Sequence, residues 1–235
     1  MPDSCSLTPA EYRDQVVTLF QQKGDPDRAQ GQMWYMRYQF EYFGLKAPEW
    51  MALAKALFAK HGIPEGGALI KTARLCYEDD HREANYFAIE MVQKVLKKQD
   101  ENFIDFLEEL IVTKSWWDTV DWLAKLAGLH FQRFPHQILP VTERWMNSDN
   151  MWLQRSAIIF QLKFKSQTNS ELLFTYIRRV ADSKEFFLQK GAGWALREYS
   201  KTAPDVVLEF IKNNALAPLT RREGLKWIMK NRESS

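Results

Sequence analysis

Apolar residues recur along this chain at the spacing of one helix face. Phe103, Phe106, Leu107 and Leu110 stand at i, i+3, i+4 and i+7, and residues 153–160 and 206–211 show related spacings. This periodicity is typical of amphipathic helices. Alternating apolar and polar runs, which would indicate strands, are absent. The pattern predicts an all-α protein without strands, built from about a dozen helices of roughly 10–18 residues.

Two segments have the sequence of a capping box, in which a Ser or Thr is followed three residues later by Glu. Thr8 and Glu11 form one such pair, with Pro9 at the first helical position, and Thr220 and Glu223 form the other. We therefore expect helices to begin just after Thr8 and just after Thr220. Other boundaries between helices are predicted at four prolines, Pro48, Pro135, Pro204 and Pro218.

The helices recur with a period in the thirties. Residues 152–157 (WLQRSA) resemble residues 187–192 (FLQKGA), 35 positions later, and residues 222–225 (REGL) continue the series. A period of this length, with two helices per unit, predicts an α-solenoid that forms a curved superhelix with a concave face. The alternative is an ordinary helical bundle with chance similarity. We expect one domain over residues 1–235, with about residues 1–8 as a flexible N-terminal tail.

The charge of the chain is unevenly distributed, although the net charge is only +2. Residues 151–235 carry 15 Lys and Arg against 8 Asp and Glu, whereas residues 1–150 carry 17 against 22. Such asymmetry is a hint of a surface that faces a polyanion. A solvated helix face explains the same excess equally well.

Cysteine usage and hydropathy bear on the compartment. Cys5 and Cys76 form neither a close pair nor part of a metal-ligand motif. Residues 1–10 lack the features of a signal peptide, and no stretch approaches the roughly 18 uncharged apolar residues of a membrane span. We expect a soluble protein of a reducing, cytoplasmic compartment, without membrane contact.

The common signatures of metal and cofactor enzymes are missing from the sequence. It contains no phosphate-binding Gly-rich loop, GxSxG elbow, HExxH or CxxC pair. The histidines, which show no ligand spacing, are His61, His81, His130 and His136. We expect no metal and no organic cofactor, which leaves cofactor-free chemistry or pure binding.

The segment 115–122 (SWWDTVDW) combines tryptophans with carboxylates. If it is helical, Trp117 and Asp121 are i and i+4 and share a face. A carboxylate beside an indole suits a site at which positive charge must be stabilised near an apolar group. Alternatively, Trp116 or Trp117 packs in the core, and Asp121 caps the helix or pairs locally.

A second segment, residues 191–201, places an aromatic ring and two cations on one helical stripe. Trp194, Arg197 and Lys201 stand at i, i+3 and i+7, and one repeat earlier the chain carries further basic residues, Arg155, Lys163 and Lys165. Basic side chains along repeated helices can neutralise DNA phosphates. A solvated face is again the alternative.

Four runs of this sequence together resemble a known family. They are residues 114–121 (KSWWDTVD), 149–155 (DNMWLQR), 183–190 (SKEFFLQK) and 193–199 (GWALREY). In this order and at these distances they resemble the AlkD family of bacterial alkylpurine DNA glycosylases. The resemblance extends along nearly the whole chain, including residues 35–36 and 43–45.

The resemblance implies a superhelix of HEAT-like repeats with DNA in its concave face. By position, the family's catalytic residues correspond to Trp117, Asp121, Arg155 and Trp194. Its phosphate-binding positions correspond to Arg197, Lys201 and Lys163, and Tyr35 corresponds to an aromatic residue near the bound backbone. Trp34 and residues 46–50 depart from the family pattern, which bears on contacts to the strand opposite the lesion.

The resemblance also implies a function. It implies a monofunctional DNA glycosylase that hydrolyses the N-glycosidic bond of cationic N3- or N7-alkylated purines in double-stranded DNA and so initiates base excision repair. The base need not be flipped out of the duplex, unlike the substrates of most enzymes that act on bases. We expect a bacterial monomer that associates with the nucleoid when bound to DNA. Two alternatives are a non-catalytic helical-repeat protein that binds DNA structure and a protein-binding scaffold, which would present an apolar concave face.

Overall fold

The computed structural model describes residues 6–232, apart from the side chain of Arg232. The chain separates into two compact units, one ending at Gln99 and the other beginning at Asp100. Within residues 6–232 we find thirteen α-helices and no strand, the sole β-type contact being an isolated bridge between Glu41 and His81. The predicted all-α fold is therefore confirmed.

The first unit contains five α-helices and ends in a 3₁₀ turn. The helices are α1 (Pro9–Lys23), α2 (Pro26–Tyr35), α3 (Ala47–His61), α4 (Gly66–Glu78) and α5 (Arg82–Val95), and the 3₁₀ turn is Leu96–Lys98. Helix α5 is buried over most of its length and packs against α4 and α3. At its first turn the buried carboxylate of Glu83 accepts backbone N–H groups of Phe43, Gly44 and Leu45, at 3.0–3.1 Å. This carboxylate satisfies backbone donors that would otherwise be buried without a partner.

The second unit contains the other eight α-helices. They are α6 (Phe103–Val112), α7 (Trp117–Arg133), α8 (Ile138–Met146), α9 (Met151–Ile159), α10 (Ser170–Arg179), α11 (Phe186–Ser200), α12 (Pro204–Asn213) and α13 (Pro218–Arg232). Two 3₁₀ turns are Pro135–Gln137 and Lys165–Gln167. Helix α9 packs against α7 and α11, and α11 packs against α13.

The sequence repeat corresponds to alternate helices of this second unit. Helices α7, α9, α11 and α13 begin at residues 117, 151, 186 and 218, so successive starts are 34, 35 and 32 residues apart. The repeated small residue is Ala157 in α9 and Ala192 in α11, and both are buried. A small side chain at this position lets neighbouring helices approach closely, which explains why the repeat is visible in the sequence.

One of the two predicted capping boxes is confirmed and the other is wrong. The Thr8 hydroxyl accepts the N–H of Glu11, and the Glu11 carboxylate accepts the N–H of Thr8 at 2.8 Å. In contrast, α13 begins at Pro218, two residues before Thr220. Proline is favoured at the first helical position, so the helix starts there, and Thr220 and Glu223 lie inside it with other partners.

Part of the predicted N-terminal tail, residues 1–5 with Cys5, lies outside the described residues. Thr8, the last residue of that predicted tail, is the N-cap of α1. The second cysteine, Cys76, is fully buried in α4, and burial raises the pKa of its thiol to about 12. Among the described helices, none is both long enough and apolar enough to cross a bilayer.

Candidate active site

The segment with two tryptophans and two aspartates forms the start of α7. Trp116 is the N-cap residue in an extended conformation, and Trp117 is the first helical residue. Asp118 lies in the first turn, where a negative charge interacts favourably with the helix dipole. Asp121 lies one turn further along, on the same face as Trp117. The helical spacing on which the prediction for this segment depended is therefore present.

Asp121 forms a bidentate ion pair with Arg155 of α9. Arg155 Nε donates to Asp121 Oδ1 at 2.8 Å, and Nη2 donates to Oδ2 at 2.9 Å. The Arg155 side chain is only 5% exposed, whereas that of Asp121 is 18% exposed. The pair thus fixes the direction of the carboxylate while part of Asp121 stays accessible. Bidentate geometry of this kind adds orientation as well as energy.

The remaining guanidinium nitrogen of Arg155 connects the ion pair to α11. Its Nη1 donates to the backbone oxygen of Phe187 at 2.5 Å. A Cβ atom added at Gly191, one turn further along α11, would lie 2.9 Å from that same nitrogen. A side chain at position 191 would therefore push against the guanidinium, so Gly191 leaves room for Arg155 beside α11.

Opposing influences act on the Asp121 carboxyl group. Burial raises its pKa, and the nearby charge of Asp118 acts in the same direction. The hydrogen bonds and the charge of Arg155 oppose this shift, but burial outweighs them and the pKa of Asp121 lies above its ordinary value. A positive charge that comes close to such a carboxylate stabilises its ionised form.

An aromatic cluster holds the start of α7 against α9 and α11. Trp116 packs against Phe187 and Trp152, with ring centroids 5.1 and 5.9 Å apart, and Trp152 packs against Phe187 at 4.9 Å. The indole N–H of Trp116 is buried and has no hydrogen-bond acceptor among the described residues. The sequence predicts a catalytic role for Trp117 and offers only core packing for Trp116, whose contacts with Trp152 and Phe187 join residues distant in the chain.

The two tryptophans predicted to be catalytic lie on the helices that Arg155 connects. Trp117 is half-buried in the first turn of α7, and Trp194 is half-buried in α11, one turn after Gly191. The structure thus brings Asp121 and Arg155 into direct contact and carries Trp117 and Trp194 on the flanking helices.

The predicted DNA-binding cations of the second unit fall into two groups. Arg197 donates to the Glu223 carboxylate of α13 at 3.0 Å. Lys201 pairs with Glu198 at 2.6 Å, and together with Lys165 it lines a cavity of about 200 Å³. Lys165 has a left-handed backbone with φ of 52°, and Lys163, two residues earlier, is exposed. Sequence reasoning had not identified Glu223 as the partner of Arg197.

Tyr35, the remaining predicted DNA-binding residue, is the last residue of α2 in the first unit. Its side chain is 65% exposed, beside Trp34 at 69% and Tyr38 at 64%. Arg37 and Tyr38, which follow the helix, both have φ of 55°, a left-handed conformation that non-glycine residues seldom adopt. Large exposed rings that lie close together in the chain can form an apolar patch, and contiguous apolar patches often mark interaction sites.

Comparisons with known proteins identify one family. Residues 16–228 match the family model described as DNA alkylation repair enzyme. A solved structure from Enterococcus faecalis, described as a predicted DNA alkylation repair enzyme, is 33% identical, with a TM-score of 0.83 over 88% of this chain and 97% of that one. No curated protein matches significantly.

Two further solved structures from Streptococcus mutans share the fold. AlkD2 is 21% identical, with a TM-score of 0.59, over 79% of this chain and 90% of its own. The protein smu.31 is 17% identical, with a TM-score of 0.62, over 92% of this chain and 98% of its own. At these identities the likeness concerns the helical architecture alone.

Proposed function

Since the chain belongs to the DNA alkylation repair enzyme family, we propose that it is a DNA glycosylase that removes cationic N3- or N7-alkylated purines from duplex DNA. The observation that carries the proposal is the Asp121 carboxylate, buried enough to have a raised pKa and held in one direction by Arg155. A fixed anion of this kind stabilises a cation that develops next to it, at little cost in reorganisation.

The chemistry requires little more than such an anion. A purine alkylated at N3 or N7 carries a formal positive charge. When the bond from C1′ to the purine nitrogen breaks, its electron pair neutralises the base, and the positive charge moves to the deoxyribose. Asp121 stabilises that charge electrostatically and orients a water molecule. The water oxygen then bonds to C1′ and its proton is released, leaving a free alkylpurine and an abasic site.

The remaining predicted residues have supporting roles in this reaction. Arg155 positions Asp121 through the bidentate pair. Trp117 and Trp194 would present their ring faces to the electron-poor sugar, an attraction related to cation–π contacts. No step requires a metal or an organic cofactor. Since the leaving base is already cationic, it needs no pocket in which to be protonated, and the proposal includes excision without base flipping by a monofunctional, monomeric enzyme.

DNA binding is proposed for the basic residues of the second unit and for Tyr35 of the first. Arg197, Lys201, Lys163 and Lys165 supply positive charge for phosphates. The exposed ring of Tyr35 would lie against the sugar-phosphate backbone. By this proposal the protein would act in the bacterial cytoplasm at the nucleoid and begin base excision repair.

A second function is favoured by the same ion pair. A bidentate contact between Asp121 and a buried arginine is also what a purely structural pair would show. In that case the chain would be a non-catalytic helical-repeat protein that binds DNA structure through its cations. The two functions differ in whether the charge of Asp121 matters beyond stability.

Asp121→Asn tests the proposal directly. The variant keeps the size of the side chain but removes its charge, and we expect excision of N7-methylguanine from a duplex to fall about 10²–10³-fold, or ~2.7–4 kcal/mol. Affinity for the duplex should stay the same or rise, because an anion has been removed. Single-turnover base release, measured by chromatography on folded protein, gives the rate constant.

A matched control separates catalysis from stability, because Asn at position 121 also weakens the bonds to Arg155. Glu83 in the first unit is likewise a buried carboxylate whose pKa is raised by burial, and it too accepts several hydrogen bonds. Glu83→Gln should lower the melting temperature and leave the excision rate of folded molecules close to normal. Near-normal excision by Asp121→Asn would favour the non-catalytic alternative.

A further inference from the structure

Glu223 of α13 is the centre of a cluster of three cations. Its Oε1 accepts hydrogen bonds from Lys190 at 2.9 Å and from Lys226 at 2.7 Å, and its Oε2 accepts one from Arg197 at 3.0 Å. Its side chain is only 5% exposed. Lys190 and Arg197 belong to α11, so one buried carboxylate gathers basic side chains from two helices.

The approach of α11 to α13 depends on Gly193. A Cβ atom added at this position would lie 2.5 Å from Glu223 Cβ and 2.9 Å from the backbone oxygen of Thr220. Both neighbours are part of, or attached directly to, the α13 backbone and have little freedom to move aside. Because the helices are this close, Glu223 reaches Lys190 and Arg197, which stand two turns apart on α11.

The charges of the cluster do not balance. One carboxylate faces three cations, so the four groups together carry a charge of about +2 at neutral pH. Burial alone would raise the pKa of Glu223, but hydrogen bonds from Lys226 and Lys190 outweigh it and lower the pKa to about 2. The cationic side chains remain 31–50% exposed, so their unused N–H groups are open to an anionic ligand.

The cluster lies on the same side of α11 as Trp194. Lys190, Trp194 and Arg197 stand at i, i+4 and i+7, the spacing of one helix face. The indole is therefore flanked by a cation on each side. A ligand that lies along this face meets an aromatic ring between two positive charges, an arrangement suited to a sugar between two phosphates.

We propose that Lys190, Arg197 and Lys226 form a phosphate-binding site for the DNA backbone and that Glu223 is a positioning residue that holds the three cations in place. This inference rests on the proposed function and extends it to Lys190, Lys226 and Glu223. A preset cation cluster binds a phosphate with less loss of side-chain freedom than separate lysines would.

Lys190→Gln and Lys226→Gln test the site by salt-dependent binding to an undamaged duplex. Each lost phosphate contact should flatten the slope of log K against log salt by roughly 0.9. Between about 50 and 200 mM salt, the affinity of each variant should then fall about 3.5-fold less than that of the wild type. Lys212→Gln is the matched control, because Lys212 is an exposed lysine of α12 and the charge change is the same. Slopes equal to that of Lys212→Gln would overturn the site.

Glu223→Asp tests the positioning role without any change in net charge. The shorter side chain draws the carboxylate back from the cations, so we expect weaker duplex binding and a flatter salt slope, checked on protein shown by its melting curve to be folded. Binding identical to that of the wild type would overturn the role of Glu223.

These measurements do not depend on catalysis. If Asp121→Asn excises normally while Lys226→Gln flattens the salt slope, the glycosylase proposal fails and the phosphate site stands. If excision requires Asp121 but neither lysine affects the slope, the glycosylase proposal stands and the site fails.

Discussion

Two carboxylates of the second unit, Asp121 and Glu223, are largely shielded from solvent and bound by basic side chains, and their surroundings differ in charge. Asp121 is hydrogen-bonded by one cation, Arg155, and burial raises the pKa of this carboxyl group. Glu223 faces three cations, and although burial acts in the same direction, the lysine hydrogen bonds lower the pKa of its carboxyl group to about 2. The number of cations bound to a shielded carboxylate thus decides whether its pKa is raised or lowered. A carboxylate with few bound cations is stabilised strongly by an additional positive charge, and one with several is not.

This difference separates two chemical tasks. The pair of Asp121 and Arg155 is neutral as a whole, so its anion is available to a cation that develops nearby. The cluster around Glu223 is positive as a whole, so it attracts anions such as phosphates. Under the two proposals, similar residue types serve catalysis in one place and phosphate binding in the other.

The largest effect is expected from Arg155→Gln, which removes the cation that is hydrogen-bonded to Asp121. A buried charge left without its partner costs about 3–5 kcal/mol of unfolding free energy. The pKa of Asp121 should also rise further, because the main group that opposes the upward shift is gone. Urea unfolding measures the first effect, and the pH dependence of base release, corrected for spontaneous depurination, measures the second.

Arg144→Gln is the control for this prediction. Arg144 pairs with Asp105 and Glu108 on the surface, and its side chain is 52% exposed. Exposed pairs contribute about 0–1 kcal/mol, so this variant should unfold almost like the wild type. Equal losses of unfolding free energy in the two variants would mean that the pair of Asp121 and Arg155 contributes no more to stability than an exposed ion pair.

A smaller effect, with a defined pH dependence, is expected from Glu223→Gln. The pKa of Glu223 falls from 4.5 to about 2 on folding, so its contribution to stability is present above pH 4.5 and is lost as the pH falls towards 2. The melting temperature of Glu223→Gln should therefore lie below that of the wild type at neutral pH, and the gap should close in acid.

The contribution of Asp121 to folding stability has the opposite pH dependence. Because its pKa is raised on folding, its titration favours the folded state at low pH, and this contribution is lost as the pH rises through the folded pKa. If the difference in melting temperature between Glu223→Gln and the wild type stayed constant down to pH 2, the lowered pKa of Glu223 would be contradicted.

The smallest effects are expected from Arg197→Ala and Lys201→Ala, which should weaken binding to all DNA sequences alike. Each should flatten the salt slope by roughly 0.9. Arg197→Ala should also lower the melting temperature, since Arg197 donates to buried Glu223, whereas Lys201 pairs with Glu198 near the surface. Unchanged slopes for both variants would mean that DNA does not follow this face of α11.

The fold was largely predictable from the sequence because periodicity and caps are local signals. The helical spacing of Trp117 and Asp121 and the capping box at Thr8 are both present in the structure. The box predicted at Thr220 failed, since Pro218 starts the helix two residues earlier. A cap is read from a few neighbouring residues, and where two such signals compete, the sequence alone does not rank them.

The site was less predictable because its contacts join residues far apart in the chain. The motifs identified Asp121 and Arg155 but could not indicate their bidentate contact, which spans 34 positions. Glu223 was assigned to a cap, whereas its partners Lys190 and Arg197 lie 33 and 26 positions away. Such contacts follow from how α11 packs against its neighbours, which periodicity does not specify.

The two glycines of α11 have a consequence for how this protein can diverge. Gly191 faces Arg155, and Gly193 faces Glu223 and Thr220. Two positions along an α-helix differ by about 200° around its axis, so these glycines serve opposite sides of one helix. One side of α11 therefore contacts Arg155, and the opposite side contacts α13. A descendant could lose the ion pair of Asp121 by mutation and still inherit the cation cluster intact, so the two charge clusters are free to diverge separately.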